Sequence, residues 1–584
     1  MGIKKNLWIG VCLAAALAAI ILSGAKIQSF FWRICDRSTD RIVERQISPN
    51  RGEIFDCEGK VIATNEKLYD IYLDCCVVTD QKVWEEKSRK LAQEIAEILP
   101  DKTAPEWWDY LQHGRNNKKR YYPIVKDIHF SLVDSLRQLT LLNEGVYKGG
   151  IITRIKDTRI YPYGELARRT IGFCRSTDQN SYFGLEAQYE GDLNGDFGII
   201  KEKQGYRRGK VRCWNLDYKK EIDGWDIHTT LDMRHQALAD SLLKAAILSN
   251  EDIQGGCLMV MEVQTGALKA IANTHRFDNG KIGEYFNYAL DYYYEPGGVA
   301  QTMTLAAALN DGVVKSLDEK IPTNHGRLYK MPTDNYIRQY EVSARTDSVS
   351  IKKGYAMSSR YVFSEIAARY AESQDYYYGW LKTFSLDEHD YDIAGVRKVK
   401  LPDSNSRTIE TLMSTGQGFG FKMSPLHILT FYNTIANDGK MVSPMLINKM
   451  KSDKYGTQYM YPDESHGVIL RPDVVSSLKH ALAFCVSDGT AKALSDSTYN
   501  GVAGKTGTSR LVIDPEQRGE SIDPYTDDEG RHQYAGTCAA FYPVASPKYT
   551  IVCTFFTKPT HNTLYGGQLP TTTVKEFMNG IRKL

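Results

Sequence analysis

Several stretches of the chain repeat apolar residues with the period of an amphipathic helix. Residues 81–140 are expected to be helical, and WEEKSRKLAQEIAEIL is the clearest example within them. A second helix is predicted at Thr230–Ile247, and a third closes the chain. The apolar face of the second helix is expected to contain Leu238, Leu242, Ala245 and Ala246. That of the third is expected to contain Val574, Phe577, Met578 and Ile581.

Short apolar runs separated by turn residues predict strand pairs. GGCLMVMEV and ALKAIAN flank a turn at residues 264–266, and YAGTCAAFYPV and KYTIVCTFFT flank residues 545–547. RGEIFDCEGKVIA, residues 51–63, has a turn at residues 56–59 between two shorter runs, and residues 150–225 favour extended structure. Strand pairs bracketed by helices predict an antiparallel sheet covered by helices, which is an α+β fold.

The N-terminus is apolar over residues 6–25, an uncharged run of 20 residues that follows Lys4 and Lys5. This length suits one membrane-spanning helix, and the lysines favour a cytoplasmic N-terminus. We expect residues 7–23 to anchor the chain and the rest to lie outside the cytoplasm. The alternative is a signal peptide cleaved near residues 23–25.

The chain of 584 residues is too long for one ordinary core, and its composition shifts near Gly224. We expect a tail and anchor at 1–25, a stalk and pedestal domain at 26–224, and a second large domain at 225–584. The net charge of +2 gives no basic field, so no nucleic-acid partner is expected. The eleven cysteines and twelve histidines show no metal-ligand spacing, and no nucleotide-binding loop is present, so no cofactor is expected. The cysteines in apolar runs are expected to be small buried hydrophobes.

One stretch, YYYEPGGVAQTMTL at residues 292–305, combines a Glu-Pro-Gly turn with a buried helix pattern. The apolar positions of that helix are Val299, Met303, Ala306 and Ala307. In serine acyl-transfer enzymes of the penicillin-binding kind, such a helix opens with Ser-x-x-Lys. The corresponding residues here are Gly298, Val299, Ala300 and Gln301.

Several segments together resemble the class B penicillin-binding proteins, membrane-anchored transpeptidases that cross-link peptidoglycan. Three segments are similar to the family's pedestal motifs: RGEIFDCEGKVIA, RIYPYGELARRTIGF and GLEAQYE. Five further segments follow in the order in which the family has them: MEVQTGALKAIAN, YEPG, GQGFGFKMSPLH, ANDGKMVSP and AGKTGT. Taken together, the segments are most similar to those of the division-specific members. The resemblance implies a β-rich pedestal, a penicillin-binding transpeptidase-like domain, and a single-pass protein of the bacterial inner membrane with its bulk in the periplasm.

The resemblance assigns three catalytic motifs, of which the first is degenerate. Gly298 has no hydroxyl and Gln301 has no titratable amine, so the nucleophile and its base are both missing. The second motif, Ser-x-Asn, aligns with Ser358-Ser359-Arg360, which keeps the first serine and replaces the amide with a cation. The third is intact as Lys505, Thr506, Gly507 and Thr508, which on an edge strand would meet an extended peptide.

These motifs favour a catalytically inactive scaffold or regulator of peptidoglycan synthesis or cell division, with cell-wall or division proteins as partners. The alternative is an active D,D-transpeptidase with an unrecognised nucleophile, and a β-lactam sensor is a third possibility. Other Ser-x-x-Lys matches begin at Ser23, Ser241, Ser350 and Ser476, but none follows a Glu-Pro-Gly turn.

The retained residues leave a second question open. Lys505 and Thr508, with Arg360 nearby, would capture the carboxylate of a peptidoglycan stem peptide reversibly. Alternatively, Lys505–Thr508 persist because they suit a strand, and Arg360 pairs with a local acid.

Overall fold

The computed structural model describes residues 41–173, 183–207, 210–323, 346–386, 393, 395–495, 501–519 and 521–584. The predicted anchor at residues 7–23 and the Ser-x-x-Lys match at Ser23 lie outside these residues. Within the described part, no helix combines the length and the apolar character needed to cross a bilayer.

The strands are β1 (Arg41–Ile47), β2 (Ile54–Phe55), β3 (Val61–Leu73), β4 (Tyr122–Ile128), β5 (Ile151–Ile160), β6 (Gly198–Arg207), β7 (Lys210–Lys219), β8 (Asp226–Thr229), β9 (Ile253–Glu262), β10 (Leu268–Arg276), β11 (Ile282–Gly283), β12 (Lys320–Pro322), β13 (Ser348–Ser350), β14 (Ile447–Ser452), β15 (Gly456–Tyr459), β16 (Ala503–Leu511), β17 (Gln533–Tyr542) and β18 (Tyr549–Thr557).

The α-helices are α1 (Gln81–Ile98), α2 (Ala104–Asn116), α3 (Phe130–Arg137), α4 (Gly145–Lys148), α5 (Arg168–Ile171), α6 (Gly184–Gln188), α7 (Glu190–Asn194), α8 (Met233–Ser249), α9 (Gln301–Asn310), α10 (Ile351–Ala356), α11 (Arg360–Ala368), α12 (Gln374–Phe384), α13 (Ile409–Gln417), α14 (Pro425–Ala436), α15 (Pro472–Asp488), α16 (Pro515–Arg518) and α17 (Leu569–Ile581).

The chain forms two compact units. The described residues of the smaller unit are 41–52, 191–207, 210–225 and 452–456, and they contain the antiparallel sheet β1-β6-β7. The larger unit contains the described residues of the ranges 53–190, 226–451 and 457–584. The domain boundaries expected at residues 25 and 224 stay predictions.

The larger unit contains a six-stranded antiparallel sheet in the order β11-β10-β9-β18-β17-β16. Helix α8 packs on β9 and β10, α17 on β17 and β18, and α15 on β16. The predicted antiparallel sheet covered by helices is therefore confirmed. Both predicted hairpins are also confirmed, since β9 pairs with β10 and β17 with β18.

A second sheet has the order β15-β14-β8-β2-β3-β4, with β5 also paired to β3. The predicted turn at residues 56–59 joins β2 to β3, where Gly59 has φ of 84° and the Asp56 carboxylate accepts from the Lys60 N–H at 2.8 Å. Beside this sheet, α1 and α2 share an apolar core that includes Trp84 and Trp107. A local aspartate thus fixes the turn that the sequence indicates.

Two expectations about helices are wrong in part. Residues 81–140 contain β4 as well as helices, because residues 122–128 pair with β3. The predicted helix at 230–247 is present as α8, but its buried face contains Gln236, Ala239, Leu243, Ala246 and Ile247. Leu238 and Leu242 are half-buried and Ala245 is exposed, because α8 lies between β10 and α17 and does not rest on one surface alone.

Candidate functional site

The predicted Glu-Pro-Gly turn leads directly into α9. Gly297 adopts φ of 60°, which favours glycine, and its N–H donates to the Gly418 carbonyl at 2.9 Å. Residues 297–299 form a 3₁₀ turn, and α9 follows from Gln301. The predicted buried positions are confirmed, since every one of them is at most 2% exposed: Val299, Met303, Ala306 and Ala307.

Gly298 brings the three predicted motifs together. A Cβ atom at this position would lie 2.8 Å from the Thr506 carbonyl oxygen, 3.2 Å from Lys505 Nζ and 3.4 Å from Ser358 Oγ. The first distance is shorter than a Cβ tolerates against backbone, so β16 approaches this turn more closely than a serine would allow. Any side chain at position 298 would therefore require the backbone at Thr506 to shift.

Lys505 lies on β16 and is fully buried. Lys505 Nζ donates to Ser358 Oγ at 2.5 Å and to the Thr506 carbonyl at 3.1 Å. Burial lowers the pKa of the Lys505 amine to about 8. No described carboxylate pairs with Lys505, so no acid offsets the effect of burial.

Two further groups against Lys505 were not predicted from the sequence. Its Nζ lies 5.4 Å from the centre of the Tyr355 ring, and the Cys485 thiol also faces it. Tyr355 precedes Ser358 by three residues, so helical spacing could have indicated it. Cys485 comes from α15, and no local signal relates it to Lys505.

Ser358 lies in the turn between α10 and α11. It has φ of 55°, an uncommon value for a residue with a side chain. Its N–H donates to the Tyr355 carbonyl at 3.0 Å, and the residue is half-buried. The neighbouring Ser359 caps α11 by accepting from the Val362 N–H at 3.3 Å. The half-buried Ser358, at the position predicted for the second motif, therefore places its hydroxyl next to Lys505.

Gln301 lies beside Ser358 but supplies no base. Its side chain is 1% exposed, and Nε2 reaches the Ser358 carbonyl at 3.4 Å. Its buried Oε1 has no hydrogen-bond partner among the described residues. Because an amide does not titrate near neutral pH, this position cannot accept a proton from a nucleophile.

Arg360 begins α11, where its guanidinium lies over the Phe419 ring at 4.7 Å. The Glu295 carboxyl is nearby and accepts from the Gly420 N–H at 2.9 Å. Burial raises the pKa of Glu295, and the charges of Lys422 and Arg360 oppose that shift. The arginine thus interacts with both an aromatic ring and a local acid at the Glu-Pro-Gly turn.

The third motif occupies β16, the last strand of the six-stranded sheet. Thr506 Oγ1 donates to Thr490 Oγ1 at 2.7 Å, and Thr508 Oγ1 accepts from the Gly566 N–H at 3.0 Å. A Cβ at Gly507 would lie 2.7 Å from the Pro296 carbonyl. The strand therefore packs tightly against the residues before Gly298, and both threonine hydroxyls already have partners within the chain.

The other Ser-x-x-Lys matches in the described residues do not resemble active sites. Lys244, Lys353 and Lys479 form ion pairs with Asp240, Asp488 and Asp438 at 2.7, 2.7 and 2.6 Å. Each of these amines is therefore held by a carboxylate. Among the described residues, no group of three or more His, Cys, Asp or Glu side chains could hold a metal ion.

Comparisons with known proteins match two family models. The model of the penicillin binding protein transpeptidase domain covers residues 256–579, and that of the penicillin-binding protein dimerisation domain covers residues 46–229. The first alone spans more than half of the chain.

Individual relatives span most of the chain at low identity. "Penicillin-binding protein 3" of Bacillus subtilis (strain 168) is 25% identical over 525 residues, covering 84% of this chain and 72% of the relative. "Probable peptidoglycan D,D-transpeptidase PenA" of Neisseria gonorrhoeae is 24% identical over 592 residues, covering 98% and 91%. The crystal structure of Penicillin Binding Protein 2X from Streptococcus thermophilus shares the fold, with a TM-score of 0.69 at 18% identity, covering 92% of this chain and 80% of that one.

Proposed function

The chain belongs to the class B penicillin-binding proteins, and from this membership we propose that it serves peptidoglycan synthesis or cell division without catalysing cross-linking. It acts as a scaffold or regulator that binds cell-wall or division proteins. The observation that carries this proposal is the state of position 298, where a glycine lies against the backbone of β16 in the place of the expected nucleophile.

The magnitude of the loss supports an inactive site. In subtilisin, an unrelated serine enzyme, removal of the nucleophile costs roughly 10⁶ in turnover. Here the serine and its partner lysine are replaced together, by Gly298 and Gln301. Binding contacts alone would leave a rate too low to sustain wall synthesis.

The location and the binding role extend this proposal. Residues 7–23 anchor the protein once in the bacterial inner membrane, and the bulk of the chain lies in the periplasm; the apolar run and the preceding lysines support this. The stem peptide of peptidoglycan is the proposed ligand of the retained site at Ser358 and Lys505–Thr508. A buried ammonium without a described carboxylate partner favours a carboxylate-terminated ligand.

Incubation of the purified full chain with a stem peptide that ends in D-Ala-D-Ala tests both parts of the proposal. We expect no release of D-Ala. In calorimetric titration with the same peptide, we expect weak binding heat that disappears in the Lys505→Ala variant. Release of D-Ala above the rate of a blank without protein would overturn the inactive assignment. If calorimetry detects no binding heat at millimolar peptide, the stem peptide is not a ligand of this site. The proposed function is then reduced to that of a scaffold that binds proteins.

The second candidate function is an active D,D-transpeptidase that uses another nucleophile. One observation favours it, the hydrogen bond between Ser358 Oγ and Lys505 Nζ. This pair has a chemical consequence of its own, whether or not the protein cross-links peptidoglycan.

A further inference from the structure

We propose that the Ser358 hydroxyl and the Lys505 amine form a serine–lysine dyad that accepts one acyl group from a β-lactam. The inference goes beyond the proposed function, because it assigns a nucleophile at a position where the family's Ser-x-x-Lys pattern has none. It concerns acylation alone and requires no turnover.

The geometry satisfies the first requirement of a nucleophile and its base. The two atoms lie 2.5 Å apart, within hydrogen-bond reach, so the amine can take the hydroxyl proton directly. Serine–lysine pairs of this kind replace the serine–histidine pair in known acyl-transfer enzymes. Because residue 298 is glycine, no side chain from that position lies between Ser358 and Lys505.

The surroundings of Lys505 increase the fraction of neutral amine, the form that a base requires. The lysine is fully buried on β16, and the titratable groups that face it are Tyr355 from α10 and Cys485 from α15. Burial raises the pKa of both groups, that of Cys485 to about 12, so neither carries a negative charge near neutral pH. Burial of Lys505 without an anionic partner places its own pKa at about 8.

Two features of Ser358 suit a nucleophile, namely its partial exposure and its strained backbone conformation. It is half-buried while Lys505 behind it is inaccessible, so an acyl donor meets the hydroxyl first. Its φ of 55° is unfavourable for a residue with a Cβ atom and costs about 1 kcal/mol or more. Glycine would remove that strain, and the chain nevertheless places a serine there.

The proposed step balances without a further reactant. A bond forms between Ser358 Oγ and the β-lactam carbonyl carbon, and the bond from that carbon to the ring nitrogen breaks. Lys505 Nζ takes the hydroxyl proton and delivers it to the departing nitrogen. The opened ring remains attached, so the chain gains the mass of one intact penicillin.

The test uses the purified full chain, benzylpenicillin and intact-mass measurement, followed by peptide mapping. We expect one adduct on Ser358, absent from both Ser358→Ala and Ser358→Gly, the second of which also suits the positive φ. Lys505→Met should slow adduct formation by about 10²–10⁴-fold, the usual contribution of a general base. Ser476→Ala is the matched control, because Ser476 is an exposed serine in another Ser-x-x-Lys match and should leave the adduct unchanged.

The pH profile separates a base from a structural lysine. The rate of acylation should rise about tenfold per pH unit up to about pH 8 and then level off, since only the neutral amine accepts a proton. This measurement needs no variant, so it holds even where Lys505→Met fails to fold.

Three outcomes would overturn the dyad: no adduct in the wild type up to pH 9, an adduct that maps to another residue, or an adduct that persists in both Ser358 variants. None of them affects the proposed function, which depends on release of D-Ala. Release of D-Ala would in turn contradict the proposed function whether or not Ser358 is acylated.

Discussion

At the scale of single residues, position 298 is defined by its lack of a side chain. We expect Gly298→Ala to destabilise the larger unit by about 1–3 kcal/mol, because the new methyl group would lie 2.8 Å from the Thr506 carbonyl oxygen and force β16 to shift. Urea unfolding of the purified variant measures this difference in the free energy of unfolding.

A glycine in α12 provides the matched control. Gly379 is exposed within the helix, and a Cβ there meets nothing within 4 Å. Gly379→Ala should therefore stabilise the protein by about 0.5–1 kcal/mol. Equal effects of the two alanine substitutions would contradict the proposed tight contact at Gly298.

The sequence allowed us to predict which residues form the candidate site, but not the distances between them. The resemblance to the family implied that residues 298, 358 and 505 would form one site, and the structure brings them together. The close approach of Thr506 to Gly298 joins segments about 200 residues apart, and no local pattern encodes it. The same holds for Cys485, which reaches Lys505 only through the packing of α15 on β16.

At the scale of elements, helix α8 begins at a charged cap. The Asp232 carboxylate accepts from the Arg234 N–H at 2.9 Å. Burial opposes its ionisation, but hydrogen bonds from Arg234 and the charge of His235 outweigh burial and lower the pKa of Asp232 to about 2 from 3.8. The ionised form therefore stabilises the folded state above about pH 4, and this contribution is lost as the pH falls towards 2.

Asp232→Asn tests this charge, since asparagine also caps helices and keeps the hydrogen-bond acceptor. We expect the variant to be less stable by about 1–2 kcal/mol at pH 7, with the difference shrinking as the pH approaches 2. Urea unfolding at several pH values measures it. Glu251→Gln, at an exposed acid in the turn between α8 and β9, serves as the control, and a difference for Asp232→Asn that stays constant with pH would contradict the role of the charge.

Elements themselves were predicted where one periodic pattern dominates. Both hairpins and the C-terminal helix follow directly from runs of apolar residues bounded by turns. Strand β4 was missed because it is short and lies among helical patterns, and its state is decided by pairing with β3. The face of α8 was misassigned because contacts with two neighbours determine which residues are buried.

At the scale of the whole molecule, the two units contain strands that differ in how far a hydrophobic core shields them from solvent. In β1, Glu44, Arg45 and Gln46 are exposed, whereas every residue of β17 and β18 is buried. We expect amide hydrogens of β1 to exchange with solvent at least tenfold faster than those of β17 and β18, because local opening there exposes little apolar surface. Hydrogen exchange with mass spectrometry on the full chain measures this, and equal protection of these strands would contradict it.

The contact between β16 and Gly298 also bears on how such a site changes over evolutionary time. While residue 298 is glycine, the strand is free to settle onto the turn, and later substitutions accumulate around the settled backbone. A substitution of serine for Gly298 then meets a steric penalty before it can bring any catalytic benefit, and Gln301 must change as well. Under the proposed function, selection for stability then opposes the return of a serine at position 298 by single substitutions, even where the serine would restore activity.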